Sequence, residues 1–204
     1  MATRFDAIVV GTGQAGPALA ARLSGAGMKV AVIERDKFGG TCVNDGCTPT
    51  KTMVASAYAA RLASRAADYG VVLGGKTAVD MKAVKARKDG VVAKSSGGVE
   101  KWVRGLKGAT VLRGHARFVD SNTLQVNQDQ LQSDRIFLDV GGRPLVPKLK
   151  GIDQVPYLTN QSLMPGTSLG SGHTSSRSLR QCRSGRAPVG LLKPIRGQSP
   201  NSFG

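Results

Sequence analysis

Apolar positions come in two patterns along this chain. The first is a compact run with no alternation: Phe5-Asp6-Ala7-Ile8-Val9-Val10 reads as a strand buried on both faces, and Met28 to Ile33 as a second. Between them lies a small-residue helix, Pro17 to Ser24, ended by Gly25 and Gly27. The second pattern is helical. Met53 to Ala67 is rich in Ala with Leu, Arg and Tyr, and Val79 to Leu106 reads as a long amphipathic helix or a broken pair. Gly90 and Gly97-Gly98 are its weak points, and Trp102 is expected as a core anchor. Val71-Val72-Leu73 is a short strand or an extended connector. Short strands follow at Thr110 to Arg113, Ala116 to Val119 and Thr123 to Val126, with turns at Gly114 and Asp120-Ser121-Asn122. A last buried-type strand, Arg135 to Val140, runs into Gly141-Gly142-Arg143-Pro144. The order predicts an α/β fold: a parallel sheet with helices, plus a small antiparallel meander.

After Met164 the periodicity stops. The segment is dominated by Ser, Gly, Arg and Pro and is expected to be disordered or loosely attached, so the reading divides the chain into a domain over 1–164 and a tail over 165–204. Charge falls the same way. The formal net charge is +16, yet none of the 13 acidic residues and six of the 29 basic ones lie after Met164. The remaining basic residues are scattered, which suits a solvated surface and anionic cofactors and gives no nucleic-acid motif. The abrupt loss of acids suggests a frameshifted or otherwise aberrant terminus. No apolar run is long enough to span a membrane, and three cysteines do not make a secreted framework, so the expected location is the cytoplasm.

The junction of strand, helix and second strand carries the first chemistry. Gly11-Thr12-Gly13-Gln14-Ala15-Gly16 follows a strand and opens a helix, and Glu34 ends the next strand. This is a dinucleotide fingerprint of the Rossmann type in its required context. Gly11 allows the turn, Gly13 lets backbone approach a pyrophosphate, and Gly16 lets helix and strand pack closely. Gln14 and Ala15 would present amides at the helix start, and Glu34 is spaced to take ribose hydroxyls.

The second chemical stretch is Gly39-Gly40-Thr41-Cys42-Val43-Asn44-Asp45-Gly46-Cys47-Thr48-Pro49-Thr50-Lys51. Thr48 fits an N-cap and Pro49 the first helical position, which would leave Cys47 where unpaired amides and the helix dipole favour a thiolate. Residues five apart rise about 7.5 Å along a regular helix, too far for a disulfide. If the sulfurs bond, the segment at Asn44-Asp45-Gly46 must be distorted, and so small a loop would serve redox chemistry better than stability. Two unrelated buried thiols, or half of a metal site, remain alternatives; no second Cys pair or nearby His supplies further ligands.

This stretch resembles the redox-active signature of the FAD-dependent pyridine nucleotide–disulfide oxidoreductases, the family of glutathione reductase, dihydrolipoamide dehydrogenase and mercuric reductase. The resemblance covers roughly Phe5 to Met164. It implies that the fingerprint binds FAD and that Gly40, Thr41 and Lys51 lie near the flavin. Gly114-His115-Ala116 would present backbone to the adenine edge, and Gly142 would border the cofactor. It also implies a redox-active disulfide, with Cys47 beside the flavin and Cys42 exchanging with a small-molecule disulfide or metal-ion substrate, and Lys51 polarising the flavin edge. His115 is expected to be an ordinary polar residue, since no acid partner is identifiable. Asp139-Val140 departs from the family's Ala-Thr before the glycine turn. NAD(P)H is expected only of a full-length member, because no second fingerprint, no later Gly-Asp segment and no dimer-interface domain with its His-Glu pair follows. The rival expectation is a truncated, non-catalytic FAD-binding remnant, or more distantly a thiol protein for soft metals.

Overall fold

In the computed structural model, residues 2–155 and 157–164 are described, and the expected tail over 165–204, with Cys182, lies outside them. Four parallel strands form the central sheet in the order β4-β3-β2-β8: β2 (Ala7–Val10), β3 (Val30–Glu34), β4 (Ala109–Arg113) and β8 (Ile136–Leu138). Helix α1 (Gly16–Gly25) makes the crossover from β2 to β3. A second sheet, ordered β1-β7-β6-β5, contains β1 (Thr3–Arg4), β5 (Ala116–Phe118), β6 (Thr123–Val126) and β7 (Asp129–Gln132). Its three later strands form the antiparallel meander, and β1 joins β7 in parallel.

Successive side chains of a strand point to opposite faces, and the two cores follow that alternation. Ile8, Ala31 and Ile33 face the meander and pack with Phe5, Leu124, Val126 and Leu131. Val9, Val30 and Val32 face the other way, onto Ala20 of α1 and Val103 of α4 (Met81–Arg104). The result is three layers, with the central sheet covered on both faces. That coverage explains why β2 and β3 read as unbroken apolar runs.

Several elements differ from the sequence reading. Helix α4 is continuous through Gly90, Gly97 and Gly98. It is capped by Asp80, whose carboxylate accepts the amides of Lys82 and Ala83 at 2.8 and 3.1 Å. Packing of its Val99–Val103 stripe on the sheet outweighs the glycines' low helix propensity, about 1 kcal/mol each. Trp102 is not a core anchor: it is 48% exposed, because the neighbouring Val103 occupies the inward phase of the helix. Val71-Val72-Leu73 is an exposed connector, not a strand. β8 is shorter than Arg135–Val140 and only half-buried, as an edge strand. β7 was not anticipated.

Candidate functional site

The site begins at the C-terminal tip of β2. The chain leaves the strand through Gly11, at φ +104, where a Cβ would overlap the carbonyl oxygen of Asp139. A Cβ on Gly16 would overlap the Gly11 carbonyl oxygen, so these two glycines allow the loop to fold onto its own strand and onto the end of β8. Gly13 faces the Asp139 carboxylate, which would lie 2.9 Å from an added Cβ. Asp139 supplies an amide to the Val10 carbonyl at 2.7 Å, and its carboxylate accepts the Gly16 amide at 2.8 Å. Helix α1 has no side-chain cap from its own N-terminal segment; the cap comes from the far end of the domain.

Glu34, at the tip of β3, closes the other side. It is 8% exposed, and one carboxylate oxygen accepts both the Thr12 amide, at 2.9 Å, and the Thr12 hydroxyl, at 2.6 Å. The second oxygen accepts the Asp36 amide at 2.9 Å. Glu34 therefore braces the glycine loop besides lining the cleft in front of it. That cleft has a volume of about 580 Å³ and runs from the loop past Arg35 and Lys37 to Gly114–Ala116 and Gly141–Arg143. Its size lies in the range of cofactor sites, and it sits at the carboxyl ends of parallel strands, where open α/β sheets take ligands.

The cysteines lie on a broken helix beside this cleft. Helix α2 (Gly40–Asn44) carries Cys42, and α3 (Cys47–Ser64) starts on Cys47. Between them Asp45 and Gly46 leave helical geometry, and a Cβ on Gly46 would sit 2.9 Å from the Thr41 carbonyl oxygen and 3.2 Å from Cys42 Cα. The break therefore falls where the expected distortion was placed, and it folds the two cysteines against each other. The helix starts earlier than Thr48-Pro49 suggested. Pro49 is the third residue of α3, where its missing amide costs nothing, and Gly46 takes the N-cap position. Asn44 fixes α2 by donating to the carbonyls of Phe38 and Gly40, at 3.0 and 2.8 Å, and Ser96 of α4 donates to Phe38 at 2.8 Å.

Cys42 is partly buried and Cys47 exposed, both as free thiols. The neighbouring Cys47 thiol is the main cause pushing the Cys42 thiol above its ordinary value, with burial acting the same way. The backbone of Cys47 and the ammonium of Lys51 pull it down, more weakly.

Of the cofactor residues read from the sequence, Gly11, Gly13, Glu34, Gly40, Thr41, Ala116 and Gly142 line the cleft together. Gln14 and Ala15 are exposed at the start of α1, and Gly16 is buried against Gly11, so these three shape the loop without lining the cleft. Cys42, Cys47 and Lys51 are not part of its wall, although Cys42 directly follows the lining residue Thr41 and the Lys51 ammonium acts on the Cys42 thiol. His115 lines the cleft and is exposed. Sequence reasoning missed Thr12 and the cap made by Asp139. The only trace of the latter was the departure from Ala-Thr at Asp139-Val140. Among the described residues, no cluster of three or more His, Cys, Asp or Glu could hold a metal, and no helix is long and apolar enough to cross a membrane.

Comparison with known proteins bears on the same residues. A family model described as pyridine nucleotide-disulphide oxidoreductase matches residues 5–181. A mercuric reductase of Staphylococcus aureus is 34% identical over 162 residues, covering 78% of this chain and 29% of that protein. A dihydrolipoyl dehydrogenase of Acholeplasma laidlawii is 31% identical over 154 residues, covering 76% of this chain and 46% of that protein. Among solved structures, the HOCl-induced flavoprotein disulfide reductase RclA of Escherichia coli superposes with a TM-score of 0.63 at 29% identity, over 78% of this chain and 33% of that one. The chain thus spans less than half the length of each of these relatives.

Proposed function

The chain belongs to the pyridine nucleotide–disulphide oxidoreductase family, and from that premise we propose that it holds FAD in the cleft and exchanges electrons through Cys42 and Cys47. The glycine loop and the α1 amides would hold the pyrophosphate, Glu34 the ribose, and the backbone at Ala116 the adenine edge. Gly40, Thr41, Lys51 and Gly142 would border the flavin. The cradle fits such a group in shape, because Gly11, Gly13 and Gly40 line it without side chains and pack so closely that a Cβ on Gly40 would lie only 2.9 Å from the Gly13 Cα. The anion set into the glycine loop itself is the Asp139 carboxylate. When bound, the flavin would supply the electron pair that an oxidised Cys42–Cys47 disulfide lacks.

The chain's own part is the dithiol. A Cys42–Cys47 disulfide that gains two electrons and two protons becomes two thiols; these pass both electrons and both protons to a small-molecule disulfide, or the electrons alone to a metal-ion substrate with the protons released to solvent. By resemblance to the family, Cys47 stands on the flavin side and Cys42 exchanges with substrate. NAD(P)H as electron source, and a dimer partner, belong to the complete enzymes of the family and are carried here as part of the same proposal. The observation that supports the reading is the Asp45–Gly46 break, which brings two thiols together on the segment that follows the cleft-lining residues Gly40 and Thr41.

The test has two arms. FAD is titrated into the purified chain and into Gly13→Val, with flavin fluorescence as the signal; saturable binding by the unaltered chain and loss in the variant is expected. Mild oxidation followed by mass mapping should yield a Cys42–Cys47 link that dithiothreitol removes. Equal FAD signals from both proteins, or linkage of either cysteine to Cys182 instead, would remove the proposal.

A further inference from the structure

The glycine loop already holds an anion of its own. The Gly16 amide, at the start of α1, points to the Asp139 carboxylate at 2.8 Å, and the same carboxylate lies against Gly13, where an added Cβ would come within 2.9 and 3.2 Å of its two oxygens. A helix N-terminus attracts a phosphate through unpaired amides and the positive end of the helix dipole. Asp139 uses one of those amides, offsets part of that dipole and lines the cleft itself. Its backbone is pinned on Val10 and faces Gly11, so the strand end that carries the carboxylate is fixed against the loop.

We propose that Asp139 is the affinity-determining residue of this site: a carboxylate built into the glycine loop that opposes any ligand carrying a pyrophosphate there. The inference rests on the FAD reading above and extends it, by naming the residue that keeps the loop's hold on the cofactor weak. Two anions within a few ångströms repel strongly where water is partly excluded, and only salt or a compensating cation relieves them. Asn at this position would keep the shape and the acceptor for the Gly16 amide while removing the charge.

The experiment compares FAD binding by the full chain, Asp139→Asn and Asp139→Ala, using flavin fluorescence at low and high salt, with thermal melts alongside. Asp139→Asn should bind FAD roughly tenfold more tightly at low salt, and the gap should narrow as salt rises. Asp139→Ala should also bind more tightly than the unaltered chain, although it melts lower for want of the cap. A purely structural role would lower the melting temperature without a salt-dependent gain in affinity. If all three proteins bind FAD equally at every salt concentration, the assignment of Asp139 falls and the FAD reading stands. If none binds FAD, the FAD reading falls and takes this assignment with it.

Discussion

Two neighbouring strands of the parallel sheet, β2 and β8, both end in glycines beside the same cleft, and the two turns obey different physics. After β2, Gly11 and Gly16 are packed so closely that a Cβ on either would overlap a backbone carbonyl, and Gly13 lies against a carboxylate. After β8, nothing lies within 4 Å of where a Cβ would stand on Gly141 or Gly142, and only Gly141, at φ +63, has a left-handed backbone. The first turn is a steric requirement. The second is mostly a conformational preference at an exposed edge. A glycine pair in a sequence does not distinguish these cases; what stands opposite the missing side chain does.

Gly11→Ala should be the most damaging change. It combines a left-handed backbone with overlap on the Asp139 carbonyl, and neither β2 nor β8 can yield without unpairing from its neighbour. A loss of more than about 3 kcal/mol is expected, read as a large drop in the denaturation midpoint or as failure to accumulate folded protein. A midpoint like that of the unaltered chain would show that the loop gives way easily, and the contrast between the turns would vanish.

Glu34→Ala probes the same loop from its other side. It strips the partners from the buried Thr12 amide and hydroxyl and from the Asp36 amide, while Gly11 keeps its contacts. The expected cost is about 1–3 kcal/mol, measured by chemical denaturation. A negligible cost would mean that the glycine packing alone sets the loop.

The glycine between the cysteines is an intermediate case, and its readout is chemical. A Cβ at Gly46 would press on the Thr41 carbonyl at 2.9 Å, so Gly46→Ala should pry α2 from α3 and part the thiols. The Cys47 thiol is the main cause of the raised Cys42 pKa, so losing that contact lowers it, and more thiolate is present at a given pH. The pH midpoint of Cys42 alkylation by iodoacetamide should move down in Gly46→Ala, and also in Cys47→Ala. An unchanged midpoint in both would separate the Cys42 titration from its neighbour.

How much of this was legible follows from range along the chain. The strand–loop–helix–strand unit over β2, α1 and β3 was readable because each signal is local: an apolar run, glycines at fixed spacing, an acid at the next strand end. The break at Gly46 was readable for the same reason. β7 was hidden because Asp129-Gln130-Leu131-Gln132 has one apolar residue, and that residue, Leu131, is held by pairing with β6 and β1. Trp102 was misplaced because the phase of α4 depends on which of two adjacent apolar residues meets the sheet. The Asp139 cap joins residues 123 apart, and no local pattern announces such a contact.

The smallest effects should come from the β8 turn, and they separate conformation from contact. At Gly142 the φ is not left-handed and the surroundings are open, so Gly142→Ala meets neither strain nor a neighbour. Its effect on stability should lie within about 0.5 kcal/mol of zero, and a small gain is reasonable, because Ala restricts the unfolded chain. At Gly141 the space is just as open but φ is +63, and an Ala there should cost about 1–2 kcal/mol from backbone strain alone. Chemical denaturation of both single variants measures the difference directly. If Gly142→Ala proves the costlier of the two, this turn is held by contacts the exposed geometry does not reveal, and its contrast with the loop after β2 is one of degree only.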